Sequence, residues 1–246
     1  MSVTRLVLPG AALAPGEVLV PPAVAKHARV TRVAPGEPIE LLDLDGAVAV
    51  GRLLRWEGGA CRVAVDRVER ERGEPAAPVV LGVGILHTAA FDWLVEKATE
   101  LGATTVVPLL TARVQGRRHD ARIERWRRIA EAAVAQCGRS RPPTIADPHP
   151  LEAFLAGAAG LCLLAEEGAP VPEPAAASAA GVTLLVGPEG GFTADEITAA
   201  HRAGFVGLPL GPRTLRAETA ALAILAVAQH LAAHSHSLVR PTAAAG

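Results

Sequence analysis

From residue 79 onward, short apolar runs alternate with longer segments of helical periodicity, and this alternation restricts the fold more than any other feature. The apolar runs have the length of buried strands and lie at residues 79–86, 106–109, 161–164, 182–186 and 206–210. The helical segments lie at residues 91–101, 120–137, 193–203 and 217–231. Strands of this kind, alternating with helices, form a mostly parallel sheet covered on both faces. The sequence therefore predicts an α/β fold for this part of the chain.

The chain before residue 79 has a different pattern, typical of a small β domain. Short strands are predicted at residues 39–42, 47–56 and 60–68. The Asp45-Gly46 pair between the first two predicts a type I′ hairpin turn. Residues 73–78 contain two prolines and a glycine and are interpreted as a linker. The predicted division is therefore a β domain at 1–72, a linker at 73–78 and an α/β domain at 79–246.

Composition excludes several classes of protein and of site. Half of the 246 residues are apolar and a fifth are charged, which excludes a disordered or collagen-like chain. Three scattered cysteines indicate a reducing cytoplasm and predict neither a disulfide framework nor a metal site. Residues 219–239 are uncharged but include histidines, serines and a glutamine, which disfavour a membrane span. We expect a soluble cytoplasmic protein with no membrane segment and no metal. A Pro/Ala-rich segment at 170–180 has no evident function.

Positive charge is concentrated in one stretch of the chain. Nine arginines lie between Arg113 and Arg141, opposed by only three acidic residues. A segment with this balance can present a basic face to a nucleic acid. It can equally be an amphipathic helix with a solvated arginine face, and both interpretations stay open.

Two glycine-containing turns follow predicted strands, where open α/β sheets bind ligands. The first, Gly-Pro-Glu-Gly-Gly at residues 187–191, leads into a helix with a predicted capping box of Thr193 and Glu196. The second, at residues 208–220, passes from a strand end into Gly-Pro and includes Arg216 and Glu218 before an almost wholly apolar helix. Glycine lets a ligand approach the backbone closely. The first turn could also be only a tight connection between strand and helix. In the second turn, Arg216 and Glu218 could simply pair with each other or cap the helix.

Residues 185–197, LVGPEGGFTADEI, followed by residues 210–220, LGPRTLRAETA, resemble the RsmE-type 16S rRNA uridine-N3 methyltransferases of the SPOUT superfamily. Upstream blocks at 96–102, 125–126 and 136–139 are similar to the same family, and residues 27–39 resemble its N-terminal domain. The resemblance covers about residues 20–230. Both turns in this order make the resemblance strong.

The resemblance implies a fold, a cofactor and partners. The implied fold is an α/β SPOUT methyltransferase domain with a C-terminal trefoil knot, preceded by a small PUA-like β-barrel. The implied activity is S-adenosylmethionine-dependent methylation of N3 of a specific uridine, by a homodimer acting on 16S rRNA or the 30S subunit. Two alternatives stay open: methylation of another RNA position such as a ribose 2′-O, and a non-catalytic RNA-binding factor for ribosome assembly.

The resemblance also implies roles for individual residues. The implied cofactor-binding residues are Leu164, Ala165, Glu166, Gly187, Pro188, Glu189, Gly190, Gly191, Leu210, Gly211, Pro212, Leu215, Arg216 and Ala220. The implied RNA-binding residues are Lys26, His27, Arg29, Arg32, Arg122, Arg125 and Arg139.

Three residues are catalytic candidates for this reaction. Arg216 and Arg139 would stabilise negative charge on the uracil oxygens, because arginine stays charged and presents a planar fork of donors. Glu218 would hold an arginine or relay the proton. Ala135 stands where many members of the family have an acid, and Ala217 where threonine is usual. The identity of the proton acceptor therefore stays open.

Overall fold

The computed structural model describes residues 3–114, 120–170 and 181–234. Arg117 and Arg118 of the arginine-rich stretch and residues 171–180 of the Pro/Ala segment lie outside these residues. The chain folds into two compact units, Met1–Glu74 with Ala130–Pro142, and Pro75–Ile129 with Pro143–Gly246. Residues 130–142, which were predicted to be part of the α/β domain, thus belong to the first unit.

The first unit is built on a five-stranded sheet with the order β1-β3-β4-β5-β2. Its elements are β1 (Thr4–Val7), β2 (Gly16–Val20), α1 (Pro22–Val30), β3 (Pro38–Leu42), β4 (Ala47–Glu57) and β5 (Ala60–Arg70). The β1–β3 pair is parallel, and the other pairs are antiparallel. The three predicted strands are therefore confirmed as β3, β4 and β5. Helix α1, whose first residue is Pro22, was not predicted.

The turn between β3 and β4 differs from the predicted type I′ turn. Such a turn requires positive φ at both central residues, whereas positive φ occurs at Leu44 and Gly46 and not at Asp45. The carboxylate of Asp43 instead accepts hydrogen bonds from the backbone N–H groups of Asp45, at 2.7 Å, and Ala47, at 2.9 Å. The prediction is wrong because this side chain organises a longer loop.

Residues 130–142 belong to the first unit for identifiable reasons. The side chain of Val134 is buried against Leu42 and Val48. The guanidinium of Arg5 donates to the carbonyl oxygens of Ala135, at 3.3 Å, and Gln136, at 2.8 Å. These contacts join elements far apart in sequence, which periodicity alone does not reveal.

The second unit is an α/β structure around a seven-stranded sheet, with the order β12-β10-β11-β6-β7-β8 and β9 paired to β7. Every pairing is parallel, which confirms the predicted parallel sheet. The strands are β6 (Val79–Gly84), β7 (Thr105–Leu110), β8 (Thr144–Ile145), β9 (His149–Pro150), β10 (Leu161–Ala165), β11 (Val182–Val186) and β12 (Val206–Leu208). The helices are α2 (Thr88–Glu100), α3 (Asp120–Cys137), α4 (Leu151–Ala156), α5 (Ala194–Arg202) and α6 (Ala217–His234).

Helix boundaries follow the predicted local signals. Thr193 caps α5, and its hydroxyl accepts from the Glu196 N–H while the Glu196 carboxylate accepts from the Thr193 N–H, so the capping box is confirmed. Gly102 follows the end of α2 with a φ of 82°, as its predicted C-terminal position requires. Helix α6 packs with α2 and contacts β6, β10 and β11, while α4 packs with α5. Among the described helices, none has the length and apolar character needed to cross a membrane.

Candidate functional site

Three loops of the second unit come together where β10, β11 and β12 end. Because these strands are parallel, their carboxyl ends lie at the same edge of the sheet. The loops, at residues 164–167, 187–191 and 210–215, surround a cavity of about 1110 Å³. The first turns of α2 and α6 complete its wall. The cavity is of the size that holds a cofactor-sized molecule with room beside it.

The structure brings the predicted cofactor-binding residues together. They line this cavity from all three loops and the start of α6, with the single exception of Pro212. The catalytic candidates Arg216 and Glu218 line it too. Further lining residues lie within the segments at 185–197 and 210–220 without having been singled out, namely Val186, Phe192, Ile197, Arg213, Thr214 and Ala217. The lining residues that were not predicted from the sequence are His87, Ala89, Ala90, Trp93 and Glu167.

The missed residues of α2 follow β6, which is the neighbour of β11 in the sheet. A sequence signal for them would have been the end of a buried strand directly before a helix, as at His87. That signal points to this cavity only when the strand order β10-β11-β6 is known, and the sequence does not reveal the order.

Glycines make the 187–191 loop compact. A Cβ atom added to Gly187 would lie 3.2 Å from the backbone of Gly191, and one added to Gly84 of β6 would lie 2.5 Å from Pro188. Gly191 itself has a φ of 68°, a conformation that side chains disfavour. The loop therefore folds tightly on itself and against β6, and it turns backbone groups towards the cavity wall.

Hydrogen bonds fix this loop to its neighbours. The Glu189 carboxylate accepts from the backbone N–H of His87, at the start of α2, with a distance of 2.8 Å. The Arg113 guanidinium donates to the Gly190 carbonyl at 2.7 Å. The Glu196 carboxylate accepts from the backbone N–H of Ala112 at 2.8 Å. Glu189, predicted to bind the cofactor, therefore also anchors the loop.

The two other loops are joined to each other. The Thr214 hydroxyl donates to the Glu167 carboxylate at 3.1 Å. This contact links the loop after β10 to the loop after β12 across the cavity wall. Thr214 lies within the turn at residues 208–220 that the sequence singled out, whereas Glu167 was not predicted. The contact between them was missed because a hydroxyl–carboxylate contact between separate loops has no local sequence pattern.

Arg216 and Glu218 stand at the beginning of α6. Arg216 is exposed, Glu218 is half-buried, and in the described part of the chain neither side chain forms an ion pair or hydrogen bond. The alternative in which they pair with each other is therefore not what the structure shows. The Arg216 carbonyl accepts from the Ala220 N–H at 2.8 Å and so begins the helix. The guanidinium of Arg216 remains available to a ligand in the cavity.

Arg139 does not line this cavity. It belongs to the first unit, where its side chain is 4% exposed and lies 2.6 Å from the carboxylate of Glu74, itself 7% exposed. Burial raises the pKa of Glu74, but the Arg139 guanidinium and the backbone N–H groups of Arg141 and Ser140 more than offset this, so the pKa lies below its usual range. The predictions that Arg139 contacts RNA or the reacting base therefore conflict with its burial in a structural ion pair.

The other predicted RNA-binding residues are accessible. Lys26, His27, Arg29 and Arg32 are exposed on α1 and just after it. The Arg29 guanidinium lies 4.9 Å from the centre of the Trp56 ring, a geometry typical of a cation–π contact.

On α3, Arg122 is half-buried and Arg125 is exposed. The Arg125 guanidinium lies 2.8 Å from the Asp92 carboxylate, which also accepts from the Trp126 indole N–H at 3.1 Å. Arg125 is therefore held in place by α2 while its side chain stays open to solvent.

The described residues contain no cluster of side chains suited to hold a metal ion. All three cysteines are free. Besides backbone groups, the wall of the large cavity offers carboxylates, guanidinium groups, the imidazole of His87 and the hydroxyl of Thr214.

Comparison with known proteins assigns this architecture to a family. Residues 73–229 match the RNA methyltransferase domain family. The chain is 34% identical over 206 residues to the ribosomal RNA small subunit methyltransferase E of Synechocystis sp., covering 80% of this chain and 67% of that protein. It is 35% identical over 214 residues to the enzyme of the same name from Mycobacterium bovis, covering 80% of each.

A solved structure supports the same assignment. The ribosomal RNA small subunit methyltransferase E of Neisseria gonorrhoeae, determined with bound S-adenosyl methionine, superposes with a TM-score of 0.79 at 28% identity. The match covers 94% of this chain and 98% of that one. The chain therefore belongs to the RNA methyltransferase family, alongside the ribosomal RNA small subunit methyltransferases E.

Proposed function

We propose that this protein transfers the methyl group of S-adenosylmethionine to N3 of a specific uridine in the 16S rRNA of the small ribosomal subunit. The observation that carries the proposal is the cavity at the carboxyl ends of β10, β11 and β12, which gathers the two family-typical turns and the start of α6. The Neisseria gonorrhoeae relative binds S-adenosyl methionine, and this chain shares its fold.

The cavity suits such a cofactor. Its size exceeds what one nucleoside-sized molecule needs, which leaves space for a target base beside it. Glycine turns let adenosine approach backbone N–H and C=O groups, and the surrounding carboxylates favour the cationic amino and sulfonium groups. The residues that would hold it are those of the three loops, chiefly Leu164–Glu166, Gly187–Gly191 and Leu210–Leu215.

The side chains at the start of α6 would serve the reaction itself. S-adenosylmethionine supplies a methyl group that is already activated on a sulfonium. The protein must align the base and stabilise the negative charge that develops on the uracil oxygens as the N3 proton leaves. The Arg216 guanidinium, which lines the cavity and is unpaired among the described residues, provides the positive charge and the hydrogen-bond donors that stabilise it. Glu218, two residues on, also lines the cavity and is the candidate to accept the proton, since it forms no contact with Arg216 in the structure.

The RNA would be bound by two groups of cations that are exposed or half-buried. One group comprises Lys26, His27, Arg29 and Arg32 around α1, in the domain that we propose to be a PUA-like barrel. The other comprises Arg122 and Arg125 on α3. Because N3 is on the pairing edge of uracil, the target base must be unstacked or single-stranded when it enters the cavity.

We further propose that the three loops form a trefoil knot and that the protein works as a homodimer in the cytoplasm. Support for the dimer comes from apolar side chains left exposed on two helices that pack together. These are Trp93 on α2 and Leu101 directly after it, with exposures of 43% and 36%, and Val227 on α6, with an exposure of 39%. Side chains of this kind are the usual core of an interface between subunits.

A transfer assay tests this function. Purified protein is incubated with S-adenosylmethionine labelled in its methyl group and with either free 16S rRNA or 30S subunits that lack the modification, in the presence of a chelator. We expect label in the 16S rRNA of at least one substrate, without any added metal. Transfer that requires a divalent ion, or no transfer to either substrate, would overturn the proposal.

A further inference from the structure

His201, in the last turn of α5, has both ring nitrogens next to hydrogen-bond acceptors. Nε2 lies 3.0 Å from Oε2 of Glu166, and Nδ1 lies 3.0 Å from the carbonyl oxygen of Phe205. A carbonyl and an ionised carboxylate can only accept hydrogen bonds. Both bonds therefore form only when both ring nitrogens carry a proton, so this geometry favours the imidazolium cation.

The surroundings of His201 stabilise that cation. The hydrogen bond to the Phe205 carbonyl raises the pKa of His201; desolvation opposes this in part, and the Glu166 carboxylate raises the pKa further. The negative end of the α5 dipole acts in the same direction. Among the described residues, Glu166 and Glu167 are the titratable groups that the β10 loop contributes to the small cavity around the ring, while β12 contributes none. On α5 itself, His201 is followed by Arg202.

The Glu166 carboxylate occupies a space made for it. A Cβ atom at Gly207 of β12 would collide with Oε2 of Glu166, so the absence of a side chain there leaves room for the carboxylate. The backbone N–H of Glu166 also donates to the Leu208 carbonyl at 3.2 Å. Two independent features, a glycine and a cation, thus define the position of this side chain.

Glu166 connects this arrangement to the cofactor cavity. It lines the large cavity and also the small one around His201. His201 itself is absent from the wall of the large cavity, and its side chain makes direct contact with a residue of that wall, Glu166. A loop that is already held in its bound shape loses less conformational entropy when the ligand binds, so binding is stronger.

We propose that His201 is a positioning residue for the cofactor loop, holding the Glu166 carboxylate against Gly207 so that residues 164–166 keep the shape that binds S-adenosylmethionine. This inference rests on the proposed function. It assigns His201 no contact with the cofactor or with RNA.

Calorimetry of S-adenosylmethionine binding from about pH 5 to about pH 9, which spans the range in which histidine titrates, tests the proposal on the full chain. We expect the affinity to fall as the pH rises through the pKa of His201. His201→Ala should bind about two- to fivefold more weakly at the acidic end, the scale of a partly exposed ion pair, and should lose that part of the pH dependence. His201→Lys, which keeps a cation, should retain affinity at the alkaline end.

His149→Ala is the matched control, because His149 is also exposed and bonded to a carbonyl oxygen, that of Asp147, but lines neither cavity. It should behave like the unaltered chain. A second measurement follows from reciprocity: bound cofactor should raise the pKa of His201, read from its ring resonances by NMR. This measurement needs no substitution and so does not depend on a variant that folds.

The outcomes separate the two proposals. Equal affinities and pH profiles for His201→Ala and the unaltered chain, or an unchanged pKa of His201 on binding, would overturn the positioning role alone. Failure of the unaltered chain to bind S-adenosylmethionine at any pH would overturn the proposed function, and the positioning role with it.

Discussion

The guanidinium of Arg113 donates a hydrogen bond to the carbonyl oxygen of Gly190 at 2.7 Å, so the first arginine of the basic run contacts the glycine loop of the cavity. We therefore expect Arg113→Ala to weaken S-adenosylmethionine binding about fivefold, the effect of one net hydrogen bond. Arg202→Ala, which removes an exposed arginine of α5, is the control. Unchanged affinity in Arg113→Ala would show that the loop holds its shape without this contact.

Arg122 and Arg125 test the RNA-binding role of α3. Replacing both with glutamate should weaken binding of single-stranded RNA and flatten its salt dependence, since log K changes by about 0.7 per phosphate neutralised for each tenfold change in salt. Cofactor affinity should stay unchanged, because neither residue lines the cavity. The matched control is charge reversal at Arg202. If the unaltered chain, the double variant and the Arg202 variant all bound RNA with equal affinity, the arginines of α3 would be only a solvated helix face.

The ion pair of Arg139 and Glu74 should contribute to stability rather than to catalysis. Arg139→Ala leaves a buried carboxylate without its partner and should lower the free energy of unfolding by about 3–5 kcal/mol. Arg52→Ala, which breaks an exposed pair with Asp66, should cost less than about 1 kcal/mol. Denaturant titration measures both. Similar small losses would show that the Arg139 pair is not a structural element of the first unit.

Acid should destabilise the first unit through Glu40 and Glu74. The Arg72 guanidinium, with the help of Arg5 and against the effect of burial, holds the pKa of Glu40 below its usual range, and the pKa of Glu74 is lowered as well. A lowered folded-state pKa gives stability that is complete above the unfolded value, about 4.3, and is lost as the pH falls through the folded value. Urea unfolding measured below about pH 5 should show this loss. It should be smaller in Glu40→Gln, and an identical slope in that variant would contradict the assignment.

Arg216 tests the proposed chemistry. Arg216→Ala should lower kcat by on the order of 100-fold, the effect of removing one donor to a developing oxyanion, while S-adenosylmethionine binding and the subunit state are retained. The matched variant is Leu222→Glu, which places a charge inside apolar α6 and should disrupt assembly and cofactor binding together. If Arg216→Ala behaved like Leu222→Glu, Arg216 would be part of an interface and not of the reaction.

Local signals predicted much of this molecule. The capping box of Thr193, the C-terminal position of Gly102 and the buried strands were readable because each depends on residues close in sequence. The two glycine turns pointed to the cavity for the same reason. Trp93 was missed because its place in the cavity depends on the pairing of β6 with β11, which the sequence does not encode locally.

Long-range packing caused one error, and a side-chain contact within a loop caused another. Gln136 lies in the last turn of α3, and Arg139 follows the end of that helix. Both belong to the first unit, because the Gln136 carbonyl accepts from Arg5 and the Arg139 guanidinium pairs with Glu74. The Asp45-Gly46 turn failed because a single side chain, Asp43, changed the geometry of the loop. Periodicity and composition do not reveal such contacts between one side chain and one partner group, although these contacts decide the domain to which a segment belongs or the conformation of a loop.

The central claim is methylation at N3 of a uridine, and nucleoside analysis of 16S rRNA tests it most directly. rRNA from a strain that lacks this gene, and from the same strain carrying the gene or its Arg216→Ala variant, is digested and analysed by mass spectrometry. We expect N3-methyluridine only when the intact gene is present. A methyl group found instead on a ribose 2′-oxygen, or N3-methyluridine that persists without the gene, would contradict the account.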